Sequence, residues 1–299
     1  MSSLRARAAY LFRSTDGLVL VAVALIALVT VIWGTLSGPL AEWGIGAWTA
    51  RVLGMHLDEA ERVGRIIMLY HSIALAVVAI EVYLITALVP MAAGRRAGVN
   101  AIVTAGYMAT MVGGLGFAYF GRNWALHGVF LFGQALMFLA GAALAGALWP
   151  WSREHRRTDP TYAGGPGGID LERAAFFTMA VATLISALFG AVPGSFFGNG
   201  FESFLAEDVV RVEARTGLQL AVIGHLHIML TLIAIALALI VGRWLDFRGP
   251  LHKVGMPLMI AGTAVISLGA WLVVPFDAIA HKVIYAGSTL VMLAALLLV

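Results

Sequence analysis

The chain has 299 residues, 61% of them hydrophobic and 12% charged, with a net charge of +3 and no cysteine. That charged fraction, about half the soluble norm, excludes an ordinary soluble domain. The missing cysteine excludes disulfides, thiolate metal sites and cysteine nucleophiles. Apolar runs of about 18 or more residues recur, each able to cross roughly 30 Å of hydrocarbon, so the chain reads as a polytopic α-helical membrane protein.

In chain order, the basic start MSSLRARAAYLFRSTDG precedes the apolar LVLVAVALIALVTVIWG. This run is long and no A-x-A-like site follows it, so it reads as a retained first helix rather than a signal peptide. Eight spans are expected, at about 17–37, 64–90, 99–121, 124–149, 172–193, 217–243, 254–275 and 279–299. The chain stops inside the eighth apolar run, as a fragment of a longer protein would. With the N-terminus in the cytoplasm, twelve of the 19 basic residues fall in inner segments, and this excess sets the orientation. The linker WSREHRRTDPTYAGGPGGID is then cytoplasmic and is the best internal boundary. It separates an N-terminal four-helix half, 1–150, from a C-terminal half, 172–299, with 151–171 between them.

The halves look like copies. A shift of 154 residues puts His71 on His225, His127 on His281, Asp16 on Asp170, Pro39 on Pro193 and Gly133 on Gly287. The match runs without a gap, so spans 1–4 and 5–8 read as two tandem four-helix bundles. Each copy has an even number of spans, so a pseudo-two-fold axis along the membrane normal should relate them.

The four paired histidines lie near the outer ends of spans 2, 4, 6 and 8. Ionisable residues inside a membrane are usually functional, although a single histidine there serves equally well as a hydrogen-bonding residue. Zinc or copper would want three or four converging ligands. Two histidines from facing helices suit haem iron, which takes its other four ligands from the porphyrin. Gly133 and Gly287, six residues after their histidines, would either let a flat ring approach or let helices pack closely. Arg62, Arg65, Arg122, Arg215 and Lys282 lie near the same surface, and Arg122 and Lys282 are the candidates for propionate pairing. His227 lies about 200° around the helix from His225 and cannot share its face; it is an alternative ligand, a ligand of another centre or a hydrogen-bonding residue. Glu81, whose counterpart is Ile235, is expected to be protonated or bonded to a neighbour such as a tyrosine, with a proton-relay role as the catalytic candidate. His56, His155 and His252 read as solvated.

The stretches MVGGLGFAYFGRNWALHGVFLFGQALMF and ISLGAWLVVPFDAIAHKVIYAGSTLVMLAAL, with a histidine on every even-numbered span, resemble the heme A synthase family over nearly the whole chain. The resemblance implies two haem sites, with His71 and His127 as ligands in one half and His225 and His281 in the other. It also implies one or two haem b groups, with haem o or haem a as substrate and product. The expected partners are the lipid bilayer, haem and a redox partner, with no nucleic acid, in the inner (cytoplasmic) membrane. Met68 and Ser72 stand where the family usually has glutamate and arginine, and the outer-loop cysteine pair of many bacterial members is missing. The resemblance therefore bears on architecture and cofactor more than on the reaction. The competing readings are a non-catalytic di-haem b electron-transfer cytochrome, a heme-copper oxidase-like subunit or fragment suggested by GHLH, and a transporter using Glu81.

Overall fold

A computed structural model describes residues 4–14, 17, 20–21, 24–25, 28–29, 31–32, 44–56, 62–121, 123–156, 161–162, 164–198 and 216–298. Among them the chain is helical, with no strand beyond one isolated bridge between Gly164 and Asp170. The helices are α1 (Leu4–Arg13), α2 (Ile45–Leu53), α3 (Arg62–Leu88), α4 (Ala93–Tyr119), α5 (Trp124–Ala147), α6 (Leu171–Gly198), α7 (Gly217–Trp244), α8 (Pro250–Leu272) and α9 (Asp277–Leu298). Six described helices, α4 to α9, are long and apolar enough to cross a membrane. The expected first span falls largely outside the described residues. The second falls on α3, whose apolar stretch counted among the described residues is the shorter Ile73–Leu88. Leu230, Leu237 and Val241 on α7, and Met292, Leu293 and Leu296 on α9, face outward, as lipid-facing positions of a bilayer helix must.

Contacts divide the chain into two units, residues 1–83 with 97–140 and residues 84–96 with 141–299. In the first, Met68, Tyr107, Met111, Ala118 and Tyr119 form a buried core. Tyr83 closes it from α3, its hydroxyl 2.6 Å from Thr104 Oγ1 and donating to the Asn100 carbonyl at 3.2 Å. In the second, α8 packs most extensively on α9, while α6 packs on both α7 and α8.

Each unit contains an antiparallel helix pair closed by the same contacts. In the first, Gly106 meets the backbone of Met137, Gly113 that of Phe130, and Gly133 that of Thr110. In the second, Gly262 meets Val291, Gly269 meets Ile284, and Gly287 meets Ile266. A Cβ on any of the six would come under 3.0 Å of the facing backbone nitrogen. Two glycines seven residues apart on one helix and a single glycine on the next thus let the main chains touch, which is how helices gain dispersion contacts where lipid removes the hydrophobic driving force. The register adds a correction to the expected gapless match. Gly262, Ile266 and Gly269 lie 156 residues after Gly106, Thr110 and Gly113, whereas Ile284, Gly287 and Val291 lie 154 after Phe130, Gly133 and Met137. Two residues therefore distinguish the turns that join the two pairs. An unshifted sequence comparison passes over this, because apolar helices match at almost any register.

The expected boundary segment, 151–171, falls entirely in the second unit, and so does the turn 84–96. Two arginines, Arg173 buried and Arg243 half-buried, account for the turn. Arg173 donates to the Pro90 carbonyl at 2.8 Å and to the Ala147 carbonyl, so one guanidinium caps α5 and holds the turn that follows α3. Arg243 pairs with Glu172 at 2.9 Å and reaches the Leu88 carbonyl at 3.4 Å. Asp170 caps α6, its carboxylate accepting from the Arg173 backbone N–H at 3.1 Å.

The linker also folds back. Gly249 N–H donates to the Thr161 carbonyl at 2.8 Å, and the Tyr162 hydroxyl donates to Asp246 at 2.6 Å. Arg248 lies over the Tyr162 ring at 4.5 Å and also bonds Asp246. Hydrogen bonds from Arg248 and then Tyr162 hold the Asp246 carboxyl below the ordinary carboxylate range. Because its folded pKa is depressed, this docking is fully present above the usual Asp value and is lost as the pH falls through the lower folded one. A pH titration of the Tyr162 ring resonance should show release in that acid range. Asp246→Asn, which tolerates the left-handed backbone there (φ 56°), should remove the pH dependence.

Candidate functional site

α7 begins at a capping box. Thr216 Oγ1 accepts from Gln219 N–H at 3.2 Å, and Gln219 Oε1 accepts from Thr216 N–H at 3.0 Å. This fixes the start of the helix that carries His225. The half-buried His225 ring lies directly against Gly190 of α6, where any Cβ would overlap the imidazole. Its Nδ1 is 2.8 Å from the Ser186 carbonyl oxygen. Trp271 of α8 donates from Nε1 to the Ser186 hydroxyl at 3.3 Å. Three helices therefore meet at Ser186, which is fully buried. A carbonyl only accepts, so Nδ1 carries the proton, and a neutral ring would have its lone pair on Nε2.

In the other two C-terminal candidates Nδ1 also faces a carbonyl oxygen. His281 has Nδ1 2.9 Å from the Asp277 carbonyl oxygen and 3.3 Å from its carboxylate, with its ring exposed. His227, exposed on another face of α7, has Nδ1 2.8 Å from the Ile223 carbonyl oxygen. α7 and α9 meet over only a short stretch, so His225 and His281 stand on helices that are not closely packed neighbours.

In the first unit, His127 sits at the start of α5, edge-on to Phe117 at 5.1 Å and stacked towards Trp124 at 6.0 Å. His71 is half-buried on α3. Glu81 is buried at 5% exposure, and its Oε1 has no hydrogen-bond partner among the described residues. The expected tyrosine contact is not made: the Tyr83 hydroxyl goes to Thr104 and Asn100 instead, and the buried Tyr107 hydroxyl has no partner among the described residues. Lys282 is exposed, and Arg65 reaches the His56 carbonyl at 3.4 Å. Arg122 and Arg215 lie outside the described residues.

Of the two roles open to Gly133 and Gly287, close helix packing is the one observed, since Thr110 and Ile266 backbone fill the space. Two further expectations are corrected. His252 is buried at 3% exposure, edge-on to Tyr162 at 6.3 Å, because the linker returns over the α7–α8 turn. His155 is half-buried rather than solvated. Ser186, Gly190 and Trp271 escaped the sequence reading, since they touch His225 only through packing between helices. Among the described residues no three His, Asp or Glu side chains gather to hold a metal ion. No family model matches the chain, and no curated protein or solved structure is detectably similar to it.

Proposed function

We propose that this chain is a haem-binding integral membrane oxidoreductase resembling heme A synthase. In this reading it has eight spans in two tandem four-helix halves, with its N-terminus cytoplasmic. His71 and His127 would hold one haem and His225 and His281 the other. The observation that carries the reading is the repeated helix pair. His127 and His281 each stand six residues before the glycine that seats α5 on α4 and α9 on α8. Six residues is about 600° of turn, so each histidine stands about 120° around its helix from the glycine seat.

The donor chemistry fits haem iron. Ser186 and Asp277 carbonyls hold the proton on Nδ1 of His225 and His281, which orients each ring and raises the basicity of Nε2. Haem iron asks for no more than two protein ligands, so it needs no cluster of three. Bound haem would supply a one-electron couple, tuned by these ligands. Gly190 and Trp271 hold the His225 seat, and Asp277 keeps its carboxylate beside His281.

Purification from a haem-replete host should yield haem that is identified by pyridine haemochrome spectra and mass spectrometry of the extract. His225→Ala and His71→Ala should each remove one of two spectral components. Oxidised haem products would favour the enzyme, whereas two stable b haems without product would favour the di-haem cytochrome. A preparation free of haem would end the reading.

A further inference from the structure

The arginine-rich end of the second unit holds a cleft of about 370 Å³ that the haem reading does not use. It opens between the turn after α3 and the segment that follows α5. Arg95, Ser152 and His155 line it, together with Glu154. None of these four side chains has a hydrogen-bond or ion-pair partner among the described residues. Met91 and Trp149 supply its apolar wall. Trp149 packs edge-on to Trp151 at 4.7 Å and to Phe177 at 5.5 Å, an aromatic cluster of the kind that marks the headgroup level of a bilayer.

Glu154 is the one acidic residue lining the cleft, facing Arg95. Burial, the Arg173 guanidinium and Arg95 push the His155 pKa below the usual imidazole value, with Glu154 and Asp170 acting in the opposite direction. Arg96, Arg153 and Arg156 are exposed on the same two segments. A hydroxyl, an imidazole and a forked guanidinium facing one small space form a donor set for phosphate oxygens. The apolar wall beside them matches the glycerol and acyl roots of a lipid.

We propose that this cleft binds the phosphate of an anionic phospholipid headgroup, with Arg95 as its principal contact and Ser152 and His155 beside it. Basic pockets at the cytoplasmic ends of spans bind such headgroups, each arginine or lysine contributing about 1 kcal/mol near the surface.

The test uses the full chain in nanodiscs made of equal parts phosphatidylglycerol and phosphatidylcholine. Native mass spectrometry reads the lipid retained on release. Wild type should keep phosphatidylglycerol in preference, and Arg95→Ala should lower that preference about fivefold. Arg95→Lys should lower it less, and Lys253→Ala, which alters an exposed charge outside the cleft, should leave it unchanged. Adding inorganic phosphate separates the sources. Retention that resists it identifies a lipid, whereas displacement identifies a soluble phosphate compound as the occupant and overturns the lipid assignment. Equal retention by wild type and Arg95→Ala, with both proteins monodisperse, overturns the site altogether. Haem content plays no part in this readout.

Discussion

Gly133→Ala and Gly287→Ala should each destabilise the protein severely, and by similar amounts, although each adds only one methyl group. At either position the new Cβ would overlap the backbone of the facing helix, at Thr110 or Ile266. A flexible side chain could swing aside, but a helical main chain cannot, so the pair must separate and give up the contacts between its glycine seats. A cost of about 3 kcal/mol is expected for each, at the upper end of what one overpacked methyl usually causes. Loss of monodispersity in a thermal ramp, followed by fluorescence-detected size exclusion in detergent, would measure it. Gly128→Ala is the control, because a Cβ at residue 128 meets open space and alanine favours the helix by up to about 1 kcal/mol. Equal sensitivity at 133 and 287 would support two copies of one unit. A tolerated alanine at either position would contradict the packing described above.

Arg173→Met should be the most damaging change outside the helix pairs. The methionine keeps much of the stem but removes the donors that cap the Pro90 and Ala147 carbonyls. Arg173 is only 3% exposed, so those carbonyls would lose a charged partner at a site that water reaches poorly. Hydrogen bonds to charged groups contribute about 1.5–3 kcal/mol each, and two are lost, so a fall of about 3 kcal/mol or more is expected. Arg173→Lys should recover only part of it, since an ammonium lacks the planar fork that reaches two carbonyls at once. Hydrogen exchange over residues 84–96 gives the local readout: that turn should lose protection in Arg173→Met and keep it in Arg96→Ala. Unchanged protection would mean that other contacts, such as Arg243 to the Leu88 carbonyl, hold the turn alone.

Much of the fold was legible because membrane physics is local. A span must be apolar for about 20 residues and must bond its own backbone, so α4 to α9 stand where hydropathy places them. The cap that Asp170 places on α6 shows only in the structure, where its carboxylate accepts from the Arg173 backbone N–H. The histidines stood out because bilayer-embedded imidazoles are rare in any sequence. Their surroundings were not legible: His225 meets Ser186 from 39 positions away, and no periodicity along α7 encodes that partner.

The amino acid order alone therefore determined the helical class, the apolar spans of α4 to α9 and the repetition of the histidines, because each depends on residues within a few turns of one another. Three-dimensional packing decided the glycine register with its two-residue difference, the tie that Arg173 makes between α5 and the turn after α3, the burial of His252 and the seat of His225 on Gly190. Those features depend on which helix face meets which. That choice is a competition among many nearly equivalent apolar surfaces, and it is won by a few small residues and buried charges whose effect exists only once distant segments touch.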